Sequence, residues 1–203
     1  MDKKEYKKKL LIELRGDFPK KVVRLFGTDL GGVFIKFYDF ISHNYVNEYI
    51  RMMRRYEYYY TKKHLFGRLL YYYCNWRWRK ISALTGITIP RGVCAEGLTL
   101  YHYGSIVVNG NARIGKNVCI SNNVNIGANK GNSEAPKIGD NVYIGPGAVL
   151  FGDIEITDNC FIGANAVVTK SVLEPYSVVV GSPGKVIKKE TKNWWQYNRL
   201  TRE

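Results

Sequence analysis

Histidine is scarce in this chain: three of 203 residues, His43, His64 and His102. Cysteine is nearly as rare, with Cys74, Cys94, Cys119 and Cys160 far apart and no CxxC among them. That spacing gives no zinc-type ligand set and no disulfide framework, so no metal is expected and the thiols read as small, reduced core or surface residues. Long apolar runs are missing as well. The opening MDKKEYKKKL leads only into Leu10–Ile12, far short of a signal-peptide core. The longest charge-free aromatic stretch, Leu69–Trp76, is too short to cross a bilayer. These gaps predict a cytoplasmic protein, with the inner face of the membrane as its one alternative address. Acidic residues are also under-represented, 17 against 31 Lys and Arg, for a net charge of +14.

Most of that charge lies in the first half. Residues 1–90 hold 19 Lys and Arg, 8 Asp and Glu, and 11 of the 16 tyrosines. Leu65, Phe66, Leu69, Leu70, Tyr73 and Trp76 step by three and four, which puts them on one helical stripe. Gly86 ends that helix and Ile87–Pro90 opens β structure. Phe34–Tyr60 reads as another amphipathic helix or pair. Three roles are open for this basic, aromatic region. A helical cap on the second half of the chain ranks first and a surface resting on anionic lipid second. Nucleic-acid binding ranks last, for want of any recognisable motif, and none is expected.

The second half carries the strongest signal. An aliphatic residue returns every six positions at Ile114, Ile120, Ile126, Ile138, Ile144, Leu150, Ile156, Ile162 and Val168, with Val108 one step earlier. No helix has that period; a solenoid of short flat strands and tight corners does. Small turn formers follow the anchors (Gly115, Ser121, Gly127, Gly139, Gly145, Gly163), and Asn117, Asn123, Asn141, Gly147, Asn159 and Asn165 come two positions later. Asn and Gly tolerate positive φ, which such corners need. Val118, Val124, Val142, Ala148, Ala166 and Val172 supply a second inward row. The one double step, Ile126 to Ile138, spans a Gly-, Asn-, Ser- and Pro-containing segment that reads as a loop pushed out of the stack.

Three segments in order then resemble the hexapeptide-repeat acyltransferases, in their serine acetyltransferase-like branch. They are Leu100–Val108 (LYHYGSIVV), the run from Ile138 to Val172, and Gly181–Ile187 (GSPGKVI), together about half of the chain. The resemblance implies a mainly β fold: a left-handed parallel β-helix of about five coils. It would occupy residues 87–187, between an α-helical region at 1–86 and a short helical tail at 188–203. It also implies a homotrimer, or a dimer of trimers, with acetyl-CoA in clefts between neighbouring prisms.

In that family a histidine serves as general base, and His102 lies in the matching segment. Counting six back from Val108 would instead make it an inward anchor. Acyl transfer to a hydroxyl needs such a base, since a protonated alcohol is a poor nucleophile. The resemblance assigns CoA contacts to Pro146, Ala164, Thr169, Lys170, Lys185 and Lys188. Tyr101 and Tyr103 are expected to meet the acceptor. Two departures matter: Tyr101 replaces the Asp that precedes the family histidine, and Glu134-Ala135 replace an Arg-His pair. Without that Arg a carboxylate-bearing acceptor loses its partner. The expected acceptor is therefore a sugar hydroxyl on a surface-polysaccharide precursor. Serine, as in cysteine biosynthesis, is the enzymatic alternative, and a non-catalytic β-helix scaffold the alternative from another class. The carboxylate that orients His102 is left to Glu96 or to a neighbouring subunit.

Overall fold

The computed structural model describes residues 44–129, 133–194 and 196. His43, the helical segment expected over 34–43, Trp195 and Tyr197 lie outside them. The chain divides into two compact units, the first ending at Leu84 and the second beginning at Thr85.

The first unit contains a helical hairpin, α1 (Tyr45–Tyr60) and α2 (Leu65–Thr85). Asn44 caps α1 by accepting a bond from the Asn47 amide, and Glu48 sits in its first turn, where a carboxylate suits the helix dipole. The Tyr56 ring stacks on Tyr71 at 5.0 Å and on Trp78 at 5.5 Å, tying the two helices together. Arg77 adds an ion pair to Glu48 at 2.7 Å. The Nδ1 of His64 accepts from the Gly67 amide, so this histidine caps α2. Gly86 ends the helix in the left-handed region, φ 72°. The residues of the expected α2 stripe share one side, but Leu65, Phe66, Leu69, Tyr73 and Trp76 are exposed rather than packed.

The second unit is a parallel β-helix. Its first turn has β1 (Ile87–Thr88), a bridge at Cys94 and β2 (Thr99–Leu100). The next turns are β3 (Ile106–Val108), β4 (Arg113–Ile114) and β5 (Cys119–Ile120), then β6 (Asn125–Gly127), β7 (Lys137–Ile138) and β8 (Tyr143–Ile144). A fourth has β9 (Val149–Phe151), β10 (Glu155–Ile156) and β11 (Phe161–Ile162). The last has β12 (Val167–Val168), a bridge at Val172 and β13 (Ser177–Val180). Every third strand joins the same sheet. Sheet 1 holds β1, β3, β6, β9 and β12, sheet 2 β4, β7 and β10, and sheet 3 the remainder.

The six-residue period is the cause. Ile114 pairs with Ile138 and Ile120 with Ile144, so each anchor stacks on its equivalent one turn away. Ile120, Ile126, Ile144, Leu150, Ile156 and Ile162 are fully buried, as are Val118, Val142, Ala148 and Ala166 in the second row. Each buried aliphatic side chain stabilises the stack by roughly 1.5–3 kcal/mol. The asparagine corners behave as their chemistry requires: Asn117, Asn123, Asn141, Asn159 and Asn165 all have φ between 52° and 63°. Gly147 is the glycine in that series, with φ 72°. Ile126 and Ile138 occupy consecutive faces although twelve residues separate them, so the extra chain leaves the coil there as a loop.

The end of the chain departs from expectation. Residues 185–189 form β14 (Lys185–Lys189), antiparallel to β13, so the tail does not begin as a helix. The β-branched pair Val186-Ile187 suits a strand, and the segment extends a sheet edge already offered by β13. Beyond it Trp194 is buried and donates its indole N–H to the Asn117 carbonyl at 2.8 Å.

Candidate active site

The prism has three edges, and the one joining sheet 3 to sheet 1 carries His102. Regular corners take six residues from anchor to anchor, as from Ile120 to Ile126. Here Leu100 pairs with Ile120 and Val108 with Ile126, so eight residues make the same turn. The two extra residues push Tyr101–Ser105 outward, which is why His102 is exposed rather than an inward anchor. Counting six back from Val108 therefore misplaces it. The detour is anchored at Gly104, whose amide donates to Thr85 and whose φ of 142° excludes most side chains. The Ile106 amide then bonds Gly86, and the coil resumes.

Tyr101 and Tyr103 flank the histidine, 39% and 66% exposed. Further along the same edge stand Asn122, Pro146 and Ala164, linked rung to rung by Gly147 N–H to Asn122 O and Asn165 N–H to Pro146 O. At the usual spacing of parallel strands, Pro146 and Ala164 lie about 10 and 14 Å from the His102 level. The Gly181–Gly184 turn closes the edge, with the Gly184 amide on the Val167 carbonyl. Lys185 begins β14 directly after it.

Other expected residues fall elsewhere. Thr169 and Lys170 follow β12 on the edge between sheets 1 and 2, across the full width of sheet 1 from His102. Lys188 is also on β14, paired with Glu190. Glu96 does not orient His102: it lies on the third edge, between sheets 2 and 3, with its carboxylate 3.5 Å from Lys116. Glu134 is exposed and Ala135 buried on the edge between sheets 1 and 2, so within one chain neither faces His102. Among the described residues no group of three or more His, Cys, Asp or Glu could hold a metal ion.

The outward rows distinguish the faces. Sheet 2 shows Arg113, Lys137 and Glu155, whereas sheet 1 shows Val107, Asn125, Val149 and Val167, and sheet 3 Thr99, Cys119, Tyr143 and Phe161, of which Cys119 is buried. The two less polar faces meet at the His102 edge. Sequence reasoning missed this asymmetry, although the residue preceding each anchor records it.

Residues 135–170 match the bacterial transferase hexapeptide (six repeats) model. This stretch of the β-helix thus carries the bacterial transferase hexapeptide repeat. That repeat implies the left-handed coil for the parallel β-helix seen here. Among curated relatives, the serine acetyltransferase of Mycobacterium tuberculosis is 41% identical over 107 residues, covering 51% of this chain and 46% of its own. That of Staphylococcus xylosus is 37% identical over 137 residues, 66% of this chain and 60% of its own. The chain thus spans roughly half the length of the curated relatives it matches. Among solved structures, Neisseria gonorrhoeae serine acetyltransferase in complex with serine superposes with a TM-score of 0.63 at 26% identity, covering 92% of this chain and 70% of that one.

These relatives correct the expected acceptor. They bear the name serine acetyltransferase, and none of those cited is a polysaccharide enzyme. The expectation of a sugar hydroxyl rested on Glu134 opposing a carboxylate at the site. Its position on a different edge from His102 removes that premise for a single chain.

Proposed function

We propose that the chain is an acetyl-CoA-dependent O-acetyltransferase with serine as acceptor and His102 as general base. The observation that carries this is His102 itself, held out on a two-residue detour of a hexapeptide stack whose relatives are named serine acetyltransferases. In this reading the imidazole takes the proton of the serine hydroxyl as its oxygen attacks the thioester carbonyl carbon. The tetrahedral intermediate collapses, the carbon–sulfur bond breaks, and the imidazolium returns the proton to the departing thiolate. O-acetylserine and free CoA result. Backbone amides at a neighbouring corner would meet the oxyanion.

The pantetheine arm would run along the His102 edge past Pro146 and Ala164, whose small side chains leave space beside the rungs. Lys185, at the end of that edge, would meet the phosphates. Thr169, Lys170 and Lys188 reach a CoA on this edge only if a neighbouring chain supplies them. A homotrimer provides such neighbours and would bury the less polar faces of sheets 1 and 3, leaving sheet 2 with its charged row in water. A neighbouring chain that supplied Thr169 and Lys170 would bring Glu134 on the same edge, so the serine carboxylate would rely on donors other than the arginine the family has at that position.

The test is release of free thiol from acetyl-CoA as a function of L-serine, carried to high serine concentration. Serine-dependent release that yields O-acetylserine supports the reading. Release indifferent to serine overturns the acceptor, and full activity in His102→Ala overturns the base. Light scattering decides the assembly: a monomeric mass rules out the trimer.

A further inference from the structure

Helix α2 is apolar on two sides, and the fold uses only one of them. Gly67, Cys74, Ile81 and Thr85 are buried. At 100° per residue they lie together on one face. Roughly opposite, Leu65, Phe66, Leu69, Tyr72, Tyr73, Trp76 and Leu84 are each more than half exposed, from 54% at Trp76 to 75% at Leu65. They fall within an arc of about 120° running the whole length of the helix. Scattered exposed apolar residues need no explanation, but a contiguous stripe marks an interaction surface.

The charges around the stripe narrow the partner. Arg68 and Arg79 border it on one side, and Lys80 lies within it, its ammonium 5.7 Å from the Trp76 ring centre. Arg77 is on the other border but is already paired with Glu48. The helix has no Asp or Glu at all. A second copy laid stripe to stripe would set these cations against one another with no carboxylate on either helix to offset them. A nucleic-acid strand would satisfy the cations and stack on Tyr72, Tyr73 and Trp76, yet leave Leu65, Leu69 and Leu84 in water. An anionic bilayer surface satisfies both sets. Leucines and phenylalanine enter the acyl boundary, tyrosines and tryptophan lie at headgroup depth, and Arg and Lys reach lipid phosphates. No helix among the described residues is long and apolar enough to cross a membrane, so the geometry is that of a helix lying flat.

From this we infer that the exposed face of α2 docks on an anionic lipid surface. The inference is independent of the acetyl-transfer chemistry. It places the first unit against the bilayer through Leu65, Leu69 and Trp76, with Arg68, Arg79 and Lys80 giving the preference for negative lipid.

The experiment is co-sedimentation of the full chain with vesicles of phosphatidylcholine alone and of phosphatidylcholine with about one third phosphatidylglycerol. Binding is expected on the anionic vesicles only, weakening as salt rises. Leu69→Glu with Trp76→Glu should lower partitioning by at least about tenfold. Arg68→Gln, Arg79→Gln and Lys80→Gln together should lower it by about fivefold per cation removed. Unchanged far-ultraviolet dichroism and thermal midpoint show that the variants remain folded. The charge-only variant keeps the test valid if the Glu pair does not fold. Absence from both vesicle pellets, or equal binding to neutral vesicles, overturns the proposal. So does a drop in particle mass on light scattering for the Leu69→Glu, Trp76→Glu chain, since the stripe would then be holding a second copy.

Discussion

Two edges of the prism border sheet 3, and they are built on opposite terms. On the edge toward sheet 2 the first four corners each take six residues from anchor to anchor and the last takes seven, from Val172 to Val179, and the asparagines form a column. The Asn117 side-chain amide donates to Asn141 at 3.1 Å and that of Asn141 to Asn159 at 3.2 Å. Asn193 then donates to Asn159 at 2.8 Å, and Trp194 closes over the Asn117 carbonyl. On the edge toward sheet 1 the rungs below are equally regular, but the first corner is two residues longer and presents His102 between two tyrosines. One edge bonds its asparagine side chains to one another; the other carries an exposed histidine on its detour. In this fold side chains are held outward where the repeat is broken and tied together where it is kept.

The comparison can be broken at several points. The largest effect is expected at the irregular edge: His102→Ala should lower serine-dependent thiol release by about 10²–10⁴-fold with an unchanged thermal midpoint. A comparable loss of stability there would mean that the detour is structural. In the shared core, Ile144→Ala removes a fully buried anchor and should cost about 2–5 kcal/mol, read by urea unfolding. At the regular edge, Asn141→Ala loses two side-chain bonds and puts an alanine at φ 57°. A cost of about 1–3 kcal/mol is expected, partly recovered by Asn141→Gly. Equal stability of the Ala and Gly variants would show that the positive φ carries no strain.

The smallest effect concerns the thiol between these edges. Burial pushes the Cys119 thiol well above its unfolded value of 9.0. A raised folded pKa means that its contribution is fully present below pH 9 and declines above it, as the unfolded chain ionises and the folded one does not. The thermal midpoint of the wild type should therefore fall more steeply on the alkaline side than that of Cys119→Val. Parallel pH profiles would contradict that.

Much of this architecture is legible in the sequence because a stacked coil forces each turn to satisfy the same geometry. The anchors at Ile114 through Val168, the inward row from Val118 to Ala166, and the Asn or Gly corners occupy the positions their spacing assigns. Val172, counted with that row, instead pairs with Ile156 and stands where an anchor would, because the last turn is shorter there. The loop after Ile126 is legible for the same reason, as a step of twelve where six suffice. What escaped was local. The two extra residues at Tyr101–Ser105 are invisible to a count of six, since Val108 resumes the phase. Lysine-rich residues 185–189 look helical in isolation and become a strand because β13 offers them an edge. The α2 periodicity identifies its stripe but not whether anything covers it. The partners of His102 escape for a different reason: Glu96 and Glu134 are near it in sequence order yet stand on other edges.

Because hydrogen bonding picks up again at Ile106 without loss of a rung, the Tyr101–Ser105 segment is an insert and not a defect. Around His102 and the Gly104 that its φ of 142° requires, Tyr101, Tyr103 and Ser105 stand exposed or outside the buried rows, so they can change without disturbing the scaffold above and below. If the proposed function holds, exchanging the two tyrosines alone would be a route to other acceptors.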